Sequence, residues 1–72
     1  MADIVAEYRV SKDNGTLPNN YYKVVLRQGK YDAVRGGMGY TLGTYSGVRE
    51  AEARILEDAK SLGATGVQLK QV

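Results

Sequence analysis

The chain is 72 residues long, enough for one domain and too short for two. Its composition, 43% hydrophobic and 25% charged with a net charge of +2, is ordinary for a globular domain and too mildly basic to name a nucleic-acid partner by charge alone. With no cysteine and no histidine it has no disulfide framework, no thiol nucleophile, no imidazole base and none of the usual zinc ligands, so a non-catalytic domain without cofactor or metal is expected.

A chain of this size buries only about 60% of the surface its unfolded form exposes. The core must therefore be one layer of sheet against one layer of helix. The first residues lack a basic stretch followed by an apolar run, and Ile4-Val5-Ala6 and Val24-Val25-Leu26 are far too short to span a bilayer. A cytoplasmic protein with no membrane partner is the expectation.

Residues 4–10 alternate, with Ile4, Ala6, Tyr8 and Val10 on one face and Val5, Glu7 and Arg9 on the other, which predicts a half-buried strand. Residues 11–20 contain Asn14-Gly15, a strong turn signal, and Pro18, which interrupts regular pairing. Ten residues is long for a hairpin loop. Residues 21–27 predict a second strand, with Tyr22, Val24 and Leu26 facing the core and Tyr21, Lys23, Val25 and Arg27 facing away. Gln28-Gly29-Lys30 supplies a turn into a short third strand, Tyr31 to Arg35.

Gly36-Gly37-Met38-Gly39 reads as a flexible connection. It is not a dinucleotide fingerprint, because Leu42 stands where the third glycine belongs and a strand, not a helix, follows. The next strand is expected over 40–45, with Tyr40, Leu42 and Thr44 on one face; Gly43 within it marks a bulge or a close backbone approach.

The helix is expected over about residues 47–62. Val48, Ala51, Ile55, Ala59 and Leu62 recur at three- and four-residue steps and should face the sheet, with Leu56 flanking them. Ser46 is the expected N-cap and Gly63 the left-handed residue that ends the helix. Glu57 and Asp58 are adjacent, point in different directions, and read as solvated helix surface. A last strand follows, with Val67 and Leu69 alternating with Gln68 and Lys70. The whole, residues 1–72, is expected to be a single small α+β domain: an antiparallel sheet of three to five strands packed on one helix in the C-terminal half, in the order β-β-(β)-β-α-β.

One segment carries functional content. Residues 20–46 hold Lys23, Arg27, Lys30 and Arg35 against only Asp32, and five of the six tyrosines, Tyr21, Tyr22, Tyr31, Tyr40 and Tyr45. Aromatic rings interleaved with cations on a sheet can stack on bases and neutralise phosphates. The competing reading is structural, because tyrosine has high β propensity and cations are normal on a solvent face.

The stretches Gly29-Lys30-Tyr31-Asp32-Ala33-Val34-Arg35, Leu42-Gly43-Thr44-Tyr45, Glu50-Ala51 and Gly63-Ala64 resemble the AP2-type DNA-binding domain and the related N-terminal domains of phage-type integrases. Residues 21–66 are covered; the characteristic tryptophans of that family are absent. The resemblance implies a three-stranded sheet, backed by one helix, lying in the major groove of duplex DNA with Lys23, Arg27, Lys30 and Arg35 as contacts. Together with Tyr21 these form the candidate nucleic-acid site. Two alternatives stand beside it: a protein-interaction module, such as an inhibitor or accessory subunit docking through an edge strand, and a homodimer whose sheets continue across a twofold axis.

Overall fold

The computed structural model describes residues 3–36 and 39–71. Five strands and one helix follow in the order β1 (Asp3–Ser11), β2 (Tyr21–Arg27), β3 (Lys30–Arg35), β4 (Tyr40–Tyr45), α1 (Val48–Ser61) and β5 (Gly66–Gln71). The strands form one antiparallel sheet in the order β4-β3-β2-β1-β5, which matches the expected small α+β fold. Part of the expected glycine connection, Gly37 and Met38, lies outside the described residues.

Local chemistry sets the connections. Between β2 and β3, Gln28 and Gly29 both have positive φ (52° and 75°), as a two-residue type I′ hairpin turn requires. Lys30, expected in the turn, is instead the first residue of β3 and pairs with Arg27. The long link from β1 to β2 is fastened at both ends and in its middle. Val10 N–H donates to the Asn20 carbonyl (3.0 Å), the Asn19 amide donates to the Tyr21 carbonyl (2.8 Å), and Leu17 packs against the core.

Two bulges change the alternation that a regular strand would impose. Ile4 pairs with Val25 and Ala6 with Val24, so Val5 is the extra residue. Val5 turns toward the core, and Ile4, expected inside, is exposed on the far face. On β4, Thr41 pairs with Val34 and Gly43 with Ala33, leaving Leu42 over. Leu42 and Tyr45 therefore both pack on the core side, while Thr44 goes to the opposite face, correcting the grouping of Tyr40, Leu42 and Thr44. Gly43 is the close approach its position suggested: a Cβ there would lie 2.9 Å from Cζ of Tyr45.

The core joins Ala6, Tyr8, Val10, Tyr22, Val24 and Ala33 from the sheet to Ala51, Ile55 and Ala59 from α1. The small residues Ala33, Ala51 and Ala59 let the helix lie close on the strands. It packs chiefly over β3 and β4 and reaches β2. Val48, expected against the sheet, sits at the helix rim and is exposed, as is Leu56. The N-cap is Gly47, not Ser46, and no side chain caps it; Glu50, three residues on, folds its carboxylate back over Gly47. At the other end Gly63 has φ 98°, with Gly63 N–H bonded to the Lys60 carbonyl and Ala64 N–H to that of Ala59, a Schellman ending.

Candidate nucleic-acid interface

Residues directly opposed on neighbouring antiparallel strands share a face. The register therefore places every side chain of the sheet on either the helix side or the open side. Tyr22 reaches the helix through its hydroxyl, so Tyr22 and its partner Arg35 are on the helix side. Lys23, one residue on, is on the open side, in a row that runs Lys70–Glu7–Lys23–Val34–Thr41 from one edge of the sheet to the other. A second row holds Gln68, Arg9 and Tyr21, a third Ile4, Val25, Asp32 and Thr44, and a fourth Arg27 and Lys30.

Four of the five expected site residues, Tyr21, Lys23, Arg27 and Lys30, are brought together on this open face. Arg35 is not. It reaches across the sheet end to α1, where Nη2 donates to Oδ1 of Asp58 (3.2 Å) and Nε lies 3.1 Å from Oδ2. Asp58 is only 7% exposed and also accepts the Tyr22 hydroxyl (2.7 Å), so its expected place on the solvated helix surface is overturned. Burial, reinforced by this carboxylate, pushes Tyr22 up to about 12. Tyr40, exposed at the β4 edge, stacks on the Arg35 guanidinium at 4.8 Å.

The open face also holds cations that the sequence did not single out, Arg9 on β1 and Lys70 on β5. They join Lys23, Arg27 and Lys30 only because β1 and β5 lie beside β2, a pairing that no local pattern announces. The face thus has five cations against two acids, Glu7 and Asp32.

Both acids are engaged. Asp32, 5% exposed, accepts from Arg27 Nε (2.9 Å) and from the Thr44 hydroxyl (2.7 Å); the Arg27 hydrogen bond holds its carboxyl below the usual carboxylate range. Glu7 accepts the Tyr21 hydroxyl (3.1 Å), and the Arg9 guanidinium lies over the Tyr21 ring at 4.9 Å. Burial and Glu7 raise the Tyr21 phenol, so it stays a neutral hydrogen-bonding group at physiological pH. The face can therefore offer Arg9, Lys23, Lys30 and Lys70 to anions while Arg27 is held flat by Asp32. Among the described residues no helix is long and apolar enough to cross a membrane.

Comparison with known proteins finds no matching family model, no curated protein and no solved structure of significant similarity.

Proposed function

We propose that this is a non-catalytic, cytoplasmic domain that binds duplex nucleic acid through the open face of its sheet. Arg9, Lys23, Lys30 and Lys70 contact phosphates, and Tyr21, stiffened by Arg9 and Glu7, supplies the aromatic surface between them. The observation that carries this reading is the imbalance of the face: five cations against two acids, which leaves four against one once Arg27 and Asp32 are paired with each other. The layout supports a duplex as the partner. The meander β2-β3-β4 with α1 behind it is the arrangement that the AP2-type resemblance implies for a sheet laid in the major groove.

The test is a salt titration of duplex binding. Replacing Lys23 and Lys30 together by alanine should weaken binding to all sequences and flatten the dependence of log K on log salt by about 0.9 per lost contact. Arg27 is left intact in this test because removing it strips the buried Asp32 of its counter-charge and mixes a folding effect into the binding result. Absence of wild-type binding at about 50 mM salt would end this reading, since phosphate-driven affinity is strongest at low salt.

A further inference from the structure

The two edges of the sheet are built differently. β4 is bulged at Leu42 and lies under the helix, two of the devices by which an edge strand avoids pairing with another chain. β5 has neither. Its register with β1 runs without a shift from Gly66 to Gln71, and the helix packs chiefly over β3 and β4, toward the far edge of the sheet. Its helix-side residues Val67 and Leu69 remain 39% and 50% exposed. Beside them a cleft of about 360 Å³ opens between Leu69, the β1 residues Val5 and Tyr8, and Val48 of the helix.

We propose that β5 pairs with β5 of a second copy of this chain, antiparallel about a twofold axis through Gln68, to make a ten-stranded sheet. The strand is self-complementary in that register. Opposed residues share a face, so Val67 meets Leu69 of the second copy twice over, and rows of Tyr8–Leu69 and Val10–Val67 become continuous apolar rows across the axis. On the open face Gln68 meets Gln68 and Lys70 meets Gly66, so no like charges are opposed, and each Lys70 keeps its own Glu7 beside it. A pairing slipped by one residue would set Leu69 against Gln68 and turn the two apolar faces to opposite sides. A second copy therefore fits the edge in both charge and hydrophobic pattern.

The size of the contact sets its strength. A six-residue strand edge is about 20 Å long. It covers on the order of half or less of the roughly 800 Å² per partner of a stable interface, so dissociation in the micromolar range is expected.

The experiment is sedimentation velocity on nucleic-acid-free protein from about 1 to 500 µM, with two cysteine probes in a chain that has no cysteine of its own. The expected result is a monomer–dimer equilibrium that Leu69→Lys or Val67→Lys, each checked for folding by circular dichroism, weakens at least about tenfold. Gln68→Cys should cross-link under mild oxidation, because residues opposed on the axis sit within disulfide reach. Thr41→Cys, on the β4 edge, should not. A monomer at every concentration, a dimer indifferent to both lysine variants, or a dimer in which Gln68→Cys fails to cross-link overturns the proposal.

Discussion

Two aspartates are buried in this small domain, and each takes one arginine and one hydroxyl. Asp58, on the helix, accepts from Arg35 and Tyr22; Asp32, on β3, accepts from Arg27 and Thr44. The chemistry is the same and the reach is not. The partners of Asp58 come from 23 and 36 residues earlier and from two strands, so the cluster ties the helix layer to the sheet layer. The partners of Asp32 lie 5 and 12 residues away within the same three-strand meander. One cluster closes the tertiary structure and withdraws Arg35 from the open face. The other holds Arg27 in place on that face while leaving its side chain 54% exposed. A buried carboxylate can thus serve as an interlayer clasp or as the anchor of a surface cation, according to which elements supply its partners.

The clasp acts on a helix that hydrophobic packing has already seated. Ile55 is fully buried at the centre of that seat. Ile55→Ala should lower stability by about 2–5 kcal/mol in a denaturant titration, the largest single effect expected in the chain. An unchanged midpoint would mean that the clasp, and not the apolar stripe, holds the layers together.

Asp58→Ala comes next. It leaves the Tyr22 hydroxyl buried without an acceptor and Arg35 without its partner. The expected cost is about 2–4 kcal/mol, below that of a fully enclosed pair because Arg35 keeps a third of its side chain in water. If this variant is no less stable than the equivalent change at Asp32, the distinction between interlayer clasp and surface anchor fails.

The same cluster should show itself at high pH. Tyr8 and Tyr22 are both pushed up to about 12, first by burial and then by Glu52 and Asp58 respectively. A neutral phenol favoured in the folded state adds stability that is complete below about pH 10 and is lost as pH rises from there toward 12. An ultraviolet titration of the six tyrosines should therefore show Tyr8 and Tyr22 ionising late, in step with unfolding, and Tyr22→Phe should remove one of these late ionisations. Six tyrosines titrating together near pH 10 with the fold intact would contradict the burial of Tyr22 against Asp58.

The sequence carried the elements better than it carried the clasp. The apolar steps through Ala51, Ile55 and Ala59 locate the helix because period 3.6 is a local property, and the alternation of Tyr22, Val24 and Leu26 locates β2 for the same reason. Asp58 stands three residues after Ile55 and one before Ala59, within the buried stripe, and that position was the available signal. What the sequence could not supply was a partner 36 residues away to make burial of an acid tolerable. The bulges at Val5 and Leu42 were half visible, in the unbroken Ile4-Val5-Ala6 run and in Gly43, but the side to which the extra residue turns depends on the strand opposite. Gly47 stands as N-cap in place of Ser46, and Glu50 then falls at the third helical position, in the first turn where an acid suits the helix dipole. In the candidate interface, Lys23, Arg27 and Lys30 share one hairpin and could be grouped by period two. Arg9 and Lys70 join them through strand order, and Arg35 leaves them because β3 carries it to the helix side.

The smallest effect is expected at Asp32. Asp32→Asn keeps the shape and leaves an oxygen for Thr44, but it removes the charge that faces Arg27, and a loss of about 1 kcal/mol at neutral pH is expected. Its pH dependence tells more than its size. The Arg27 hydrogen bond holds the folded-state carboxyl below its ordinary value, so the charged pair adds stability above about pH 4, where the unfolded carboxyl is ionised. That stability is lost as pH falls through the lowered folded-state value. Other carboxylates contribute to acid unfolding in wild type and variant alike, so the informative quantity is the difference between the two denaturation midpoints, followed from pH 7 to pH 2. It should be constant near neutrality and shrink as the wild-type Asp32 takes up its proton. A difference that stays the same across that range would show that the charge of Asp32, and with it the pairing to Arg27, adds no stability. Arg27 would then be held by nothing on the open face, and would count with Arg9, Lys23, Lys30 and Lys70 as a cation available to phosphate.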